Sequence, residues 1–256
     1  MTRRDRLSGF LRHARASAAE ALAPREEISD TFYPQQPSCQ IRNAWVLFET
    51  FLGQRTDGLF VEVGAYDGVS YSNTWGLATR GWRGLLIEPV PEYAAAAREA
   101  HSAHPGVTVV QCAIGAEDGV LELTTAGPFT SAVPGMIDEW ESRSWRSRGE
   151  KVSVPMRTLD DVLAEFVPGM EIDVLVVDVE GHEVDVMAGF SWPTQPRLMF
   201  LELPDLHPSA WQRASSAVTV RDDLLSRGYQ VAYKDVTNTV FVRPDVWERG
   251  WGTATA

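Results

Sequence analysis

Short apolar runs alternate with segments whose apolar residues recur at helical spacing along most of this chain. The runs predict strands at 59–63, 84–88, 107–113, 120–124, 173–177, 198–202, 229–233 and 238–242. Helical spacing predicts helices at 41–52, 73–80, 92–100, 159–166, 183–188 and 220–227. Strands that alternate with helices indicate an α/β fold with a mostly parallel sheet covered on both faces. The last two runs predict an antiparallel pair that closes the sheet.

The N-terminal part of the chain has a different pattern. Residues 1–22 carry five arginines, and their apolar positions follow helical spacing: Leu7, Phe10, Leu11, Ala14 and Ala18. This pattern predicts a helix that packs on its own domain or forms a homo-oligomer with a neighbouring subunit. Its apolar face is small and alanine-rich, which disfavours a membrane-surface role. We therefore divide the chain into a helical extension and connector, 1–57, and one domain, 58–256.

Composition narrows the classes of partner. The 256 residues are 44% apolar, which is enough for a sizeable core, and their net charge is −12. That charge disfavours nucleic-acid binding, which needs clustered Lys and Arg. No apolar run approaches the roughly 18 residues of a membrane span. Cys39 and Cys112 match no metal-binding spacing, so we expect free thiols in a cytoplasmic protein.

A glycine-containing turn follows the first predicted strand, in the pattern Glu62-x-Gly64-x-x-Asp67-Gly68. A second apolar run then ends in Glu88. Acids at this position, roughly 20 residues after such a turn, accept hydrogen bonds from ribose hydroxyls. The pattern predicts a cofactor that contains adenosine.

The glycine spacing separates the candidate cofactors. The dinucleotide pattern G-x-G-x-x-G would need glycine where Tyr66 and Val69 stand, so a pyrophosphate cradle is poorly supported. Acids in the strand and the turn would repel phosphates but could pair with the sulfonium and amino groups of S-adenosyl-L-methionine. The alternative is that Glu62 and Asp67 cap the following helix. We rank it second because an unpaired charge inside an apolar strand is costly.

Several sequence blocks together resemble the FkbM family of S-adenosyl-L-methionine-dependent methyltransferases. In order, they are Glu62-Val63-Gly64-Ala65 with Asp67-Gly68, Ser72-Asn73-Thr74, Gly81-Trp82, Leu86-Ile87-Glu88-Pro89, Arg157-Thr158-Leu159-Asp160-Asp161 and Asp178-Val179-Glu180-Gly181-His182-Glu183. The resemblance implies a class I, Rossmann-like methyltransferase fold with a seven-stranded sheet. It also implies O-methylation of hydroxyls on sugars, polyketides and other secondary metabolites.

The expected cofactor residues follow from the strand ends and from this resemblance. They are Glu62, Gly64, Ala65, Asp67, Asn73, Glu88, Pro89 and Ala113. Ala113 lies where the adenine ring is expected, after the third strand. For Asn73 two interpretations stay open: contact with the cofactor carboxylate, or capping of the helix that it begins.

The expected catalytic cluster is Asp178, Glu180 and His182, after the fourth strand. One of them could accept the proton of the acceptor hydroxyl, or Asp178 and Glu180 could bind a divalent metal such as Mg²⁺. The structural alternative is that Glu180 and Glu183 favour the N-terminus of the next helix. Glu202 and His207, one element further on, are second candidates and expected substrate contacts.

The long segment 125–151 predicts a lid or binding loop. Its aromatic residues, with Trp140 as the expected substrate contact, could cover a sugar ring or an apolar acceptor. They could equally form the small core of an insertion.

Three functions are therefore compared. The first is S-adenosyl-L-methionine-dependent O-methylation of a small-molecule hydroxyl acceptor. The second is a nicotinamide-dependent oxidoreductase on a related sheet, which the broken glycine pattern disfavours. The third is a non-catalytic scaffold that retains the cofactor fold.

Overall fold

The computed structural model describes residues 31–133, 150–204 and 211–252. The predicted helix in 1–22, Trp140 and His207 therefore lie outside the described residues. The strands are β1 (Leu59–Val63), β2 (Arg83–Ile87), β3 (Val107–Val110), β4 (Ala113–Ile114), β5 (Gly119–Thr124), β6 (Lys151–Arg157), β7 (Val174–Val177), β8 (Leu198–Glu202), β9 (Gln230–Lys234) and β10 (Asn238–Val242). The helices are α1 (Ala44–Leu52), α2 (Trp75–Thr79), α3 (Pro91–Ala100), α4 (Leu159–Phe166), α5 (Glu183–Ala188), α6 (Trp211–Ser226) and α7 (Pro244–Gly252). Within the described ranges, no helix combines the length and apolar character needed to span a bilayer.

A seven-stranded sheet organises these elements in the order β3-β2-β1-β7-β8-β10-β9. Five neighbouring strands of this sheet pair in parallel: β3, β2, β1, β7 and β8. β10 runs antiparallel to both β8 and β9. The order reverses between β1 and β7, which is where such sheets bind ligands. This topology confirms the expected α/β, class I methyltransferase (Rossmann-like) fold.

Helices cover both faces of this sheet because successive strand side chains point to opposite sides. On β1, Val61 and Val63 join one core with residues of α4, α5 and α6. Phe60 joins the other core with residues of α1, α2 and α7. The segment before α1 belongs to this second core through Tyr33, whose ring centroid lies 6.0 Å from that of Trp82.

A second sheet of three strands, in the order β4-β6-β5, was not predicted. The expectation of one strand over 107–113 is wrong, because the chain divides there into β3 of the large sheet and β4 of the small one. β6 was missed although Val152, Val154 and Met156 recur at every second position. Pro155 lies opposite Val120 of β5, whereas β4 pairs with β6 only at Met156 and Arg157.

The predicted helix 220–227 is also longer in the structure, where α6 begins at Trp211, and α7 was not predicted. In contrast, α1 begins at Ala44 rather than at Ile41. The backbone N–H of Ile41 instead donates a 3.0 Å hydrogen bond to Oδ1 of Asn73. The connector before α1 is thereby fastened to the turn that follows β1.

Candidate active site

The carboxyl ends of the four central parallel strands meet at one edge of the large sheet. Val63 is paired with Ile87 on one side and with Val177 on the other, and Val177 is paired with Leu201. The residues at these strand ends are therefore neighbours: Gly64, Glu88, Asp178 and Glu202. Three acids, Glu88, Asp178 and Glu202, are thereby brought to this edge.

A pocket opens at this edge, with about 600 Å³ of space when its open mouth is included. Seven of the expected cofactor or catalytic residues contribute to its wall: Gly64, Glu88, Pro89, Ala113, Asp178, Glu180 and His182. The small sheet and the following loop cover it through Leu121, Leu123, Gly127, Thr130 and Ala132. We call this space the first pocket.

A second pocket of about 510 Å³ adjoins the first. Its wall includes Gln40, Glu62, Ala65, Tyr71 and Phe129. Five residues line both pockets and mark the place where they meet: Gly64, Tyr66, Pro128, Asp178 and Glu180. We call this place the junction.

Glu88 is buried at the wall of the first pocket. Its Oε2 accepts a 2.9 Å hydrogen bond from the Tyr66 N–H, and its Oε1 accepts one of 2.8 Å from the Val90 N–H. Burial raises the pKa of Glu88 to about 7, and these two backbone bonds oppose the rise. Each oxygen retains a further lone pair, so the carboxylate can still accept hydrogen bonds from a ligand.

Glu62 is buried inside β1 and accepts hydrogen bonds from the segment before α2. Its Oε2 accepts hydrogen bonds from Thr74 Oγ1 at 2.6 Å and from Ser72 Oγ at 3.0 Å. Its Oε1 accepts one from the Asn73 N–H at 3.4 Å. Burial raises the pKa of Glu62 to about 7, against these hydrogen bonds. The acid therefore fixes one wall of the second pocket.

Asp67 and Asn73 lie outside the walls of these two pockets. Asp67 closes its own turn, because its Oδ1 accepts hydrogen bonds from the N–H groups of Val69 and Ser70. Asn73 does not cap α2, whose N-terminal flank is Thr74 without a side-chain cap bond. It contacts the connector before α1 instead.

Asp178 at the junction is held from two sides. Gln40 Nε2 donates a 2.8 Å hydrogen bond to its Oδ2. Glu202, which is buried, places a carboxyl oxygen within 4.8 Å of one of Asp178. Burial raises the pKa of Asp178, and hydrogen bonding with Gln40 and Glu202 opposes the rise. Two carboxylates this close disfavour double ionisation, so we call Asp178 and Glu202 the acid pair.

Asp178, Glu180 and Glu202 each place one oxygen within 4.8 Å of the others, a set that could surround a cation. Carboxylates are the ligands that Mg²⁺ prefers. Gln40 Nε2 already donates to Oδ2 of Asp178, so a cation would have to compete with this contact or bind through Oδ1.

The loop after Asp178 is fastened by Glu183 at the start of α5. Glu183 Oε1 accepts hydrogen bonds from the N–H groups of Gly181 at 3.0 Å and Val179 at 3.3 Å. This geometry supports a structural role for Glu183. His182 lines the first pocket and not the second, and its Nδ1 lies 3.1 Å from Oδ2 of Asp185. It is thus an oriented imidazole set back from the junction.

Sequence reasoning missed Gln40, Tyr66 and Tyr93. Tyr66 has a φ of 49°, which is rare for a residue with a side chain, and its ring packs edge-to-face on Tyr93 at 4.7 Å. The Tyr93 hydroxyl accepts a 3.1 Å hydrogen bond from the Gly127 N–H. Ser131 Oγ donates one of 2.8 Å to the carbonyl oxygen of Glu180. The start of the predicted lid, through residue 133, therefore covers the site, while 134–149 lie outside the described residues.

Among curated proteins, the methyltransferase sdnD of Sordaria araneosa is 33% identical to this chain over 129 residues. The match covers 41% of this chain and 50% of that protein, so the chain spans about half the length of this curated relative.

Two solved structures illustrate the likeness in fold. The O-methyltransferase TomG from Streptomyces achromogenes, in complex with S-adenosyl-L-methionine, is 14% identical with a TM-score of 0.43, covering 77% of this chain and 76% of that chain. A putative O-methyltransferase from Klebsiella pneumoniae is 12% identical with a TM-score of 0.47, covering 89% and 94%. Neither likeness identifies a reaction or a substrate.

A family model provides the stronger finding. The model described as "Methyltransferase FkbM domain" matches residues 62–231, from the middle of β1 into β9. The matched range includes Glu62, Glu88, Asp178 and Glu202, the acids of the strand ends, and it covers more than half of the chain. The chain therefore belongs to the FkbM methyltransferase domain family.

Proposed function

We propose that this chain is an S-adenosyl-L-methionine-dependent O-methyltransferase that acts on a hydroxyl of a sugar, a polyketide or another secondary metabolite. The observation that carries the proposal is the junction, where Asp178 and Glu180 line both pockets. A methyl donor in one pocket and an acceptor in the other would meet beside these acids. Such alignment of two reactants is a large part of catalysis in methyl transfer.

The first pocket has the chemistry expected for the nucleoside part of the cofactor. Glu88 would accept hydrogen bonds from the ribose hydroxyls, with Pro89 and Ala113 beside the adenine ring. Gly64 at the junction would face the amino-acid part of the cofactor, and Ala65 and Glu62 lie beside it on the wall of the second pocket, which would hold the acceptor. Among the described residues that line the two pockets, none is Lys or Arg. This acidic surround favours a cationic cofactor over a phosphorylated one.

When bound, S-adenosyl-L-methionine supplies a methyl group on a positively charged sulfur. The protein would hold the acceptor hydroxyl in line with that methyl group and at hydrogen-bond distance from Asp178. The Asp178 carboxylate would take the hydroxyl proton as the acceptor oxygen receives the methyl group and S-adenosylhomocysteine leaves. The products are a methyl ether and S-adenosylhomocysteine, and the proton remains on the acid pair until it passes to solvent.

Calorimetry with S-adenosylhomocysteine and with NAD separates this proposal from a nicotinamide-dependent oxidoreductase. We expect binding of the former only. Incubation with methyl-labelled S-adenosyl-L-methionine and a panel of sugars and polyketide alcohols then tests transfer. Formation of a labelled methyl ether would support O-methyltransferase activity. Cofactor binding without transfer to any hydroxyl acceptor would favour the scaffold instead, and NAD binding alone would overturn the proposal.

A further inference from the structure

Gln40 joins the connector before α1 to the acid at the junction. Its Nε2 donates a 2.8 Å hydrogen bond to Oδ2 of Asp178, and its Oε1 accepts one of 3.2 Å from Asn73 Nδ2. The side chain also lines the second pocket. Gln40 and Asp178 are 138 residues apart in the chain.

The direction of these hydrogen bonds is fixed by the backbone. The Ile41 N–H can only donate, and it donates to Oδ1 of Asn73 at 3.0 Å. Asn73 must therefore present its Nδ2 donor to Gln40, and Gln40 must in turn present its Nε2 donor to Asp178. Each amide orientation thus follows from the one before it, although the two ends of an amide look alike. Asp178 Oδ2 is consequently an acceptor without a proton.

We propose that Gln40 is a positioning residue for methyl transfer: its amide fixes the carboxylate of Asp178 at the junction, with Oδ2 as the acceptor. This inference rests on the proposed function, in which Asp178 accepts the hydroxyl proton. The amide donor on Oδ2 holds one oxygen of Asp178 in place, which leaves Oδ1 as the oxygen that can face the acceptor hydroxyl.

Gln40 lies outside residues 62–231, the part of the chain that matches the family model. The connector before α1 therefore does more than lead into the domain, since it completes the wall of the second pocket. A glutamine is required because the position must accept from Asn73 and donate to Asp178 at once. Ionised glutamate can accept but not donate, and methionine of similar length can do neither.

The test compares Gln40→Glu and Gln40→Met with the matched control Gln35→Met. Gln35 lies in the same connector and donates its Nε2 to the Ile41 carbonyl at 3.0 Å, outside both pocket walls. We expect both Gln40 variants to lower kcat about tenfold to a hundredfold, the size of one hydrogen bond to a charged group. Their affinity for S-adenosylhomocysteine, measured by calorimetry, should be unchanged. Gln35→Met should keep the wild-type kcat.

An equal loss of kcat in Gln35→Met would overturn the proposal, because loosening of the connector would then explain the effect. Cofactor affinity that falls in parallel with kcat would also overturn it. A readout that needs no acceptor is the side-chain amide signal of Gln40 in ¹⁵N-glutamine-labelled protein. Asp178→Asn should shift that signal, whereas Glu99→Gln on the exposed side of α3 should not. If the chemical shift of the Gln40 amide is unchanged in Asp178→Asn, the hydrogen bond between Gln40 and Asp178 is ruled out. This result holds even if the wild-type protein transfers no methyl group.

Discussion

A Cβ atom on Gly64 would lie 1.8 Å from the carbonyl oxygen of Asp178. Gly64 also has a φ of +87°, a conformation that residues with side chains rarely adopt. The turn after β1 and the loop after β7 therefore touch only because position 64 has no side chain. This contact joins the wall of the first pocket to the acid at the junction.

Gly64→Ala should weaken cofactor binding as well as folding, because the new methyl group forces Asp178 and its loop away. The matched control is Gly81→Ala, whose φ is +83° but whose Cβ would meet nothing within 4 Å. We expect Gly81→Ala to cost roughly 1–2 kcal/mol of unfolding free energy and to leave cofactor affinity unchanged. Denaturation and calorimetry with S-adenosylhomocysteine measure both effects. Similar behaviour of the two variants would contradict the coupling.

Glu88→Ala should lower the affinity for S-adenosylhomocysteine about tenfold to a hundredfold, since a hydrogen bond to a charged group contributes roughly 1.5–3 kcal/mol. The control is Glu99→Ala, an exposed acid on α3. Calorimetry should show normal affinity for the control. Unchanged affinity in a folded Glu88→Ala protein would show that Glu88 does not bind the ribose.

The strand ends could be predicted because a parallel sheet brings all its carboxyl ends to one edge. Short apolar runs located β1, β2, β7 and β8, and the residue after each run was then a candidate. Glu88 and Asp178 follow directly from this rule. The periodicity of apolar residues cannot specify a cofactor. The glycine spacing and the acids of the first turn indicated S-adenosyl-L-methionine, and the resemblance to the FkbM family supported it.

Gln40 could not be predicted, because it lies in an irregular connector and reaches its partner across 138 residues. No spacing in the sequence indicates that contact. β6 had a readable signal in the alternation of Val152, Val154 and Met156, but the sequence does not show its partners. The strand forms by pairing with β5 along its length and with β4 at Met156 and Arg157.

The stability of the protein should depend on pH through Glu88. Burial raises the pKa of Glu88 from 4.5 to about 7. A group whose pKa is higher in the folded state stabilises folding fully below its ordinary pKa, and this contribution is lost as pH rises through the folded value. Relative to Glu88→Gln, wild type should therefore lose on the order of 3 kcal/mol of unfolding free energy as pH rises from 4.5 to about 8. Urea denaturation across this range measures the difference, and a difference that stays constant would contradict the assignment.

Removal of divalent metals should leave methyl transfer unchanged. Oδ2 of Asp178 accepts a hydrogen bond from Gln40, with which a cation would compete, and the proposed transfer uses Asp178 as a proton acceptor rather than as a metal ligand. Turnover after dialysis against EDTA should equal that of untreated protein, with and without added Mg²⁺. Activity that EDTA abolishes and Mg²⁺ restores would instead assign a metal to Asp178, Glu180 and Glu202.

Asp178→Asn should depress methyl transfer far more than His182→Ala. Asp178 lines both pockets at the junction, whereas His182 lines only the first pocket and is oriented by Asp185. Loss of a general base costs roughly a hundredfold or more in turnover, so we expect that loss for Asp178→Asn with cofactor affinity retained. Single-turnover rates with saturating cofactor measure both variants. If His182→Ala shows the larger loss, the imidazole is the base, and Asp185→Asn should then reduce turnover as well because it removes the carboxylate that orients the ring.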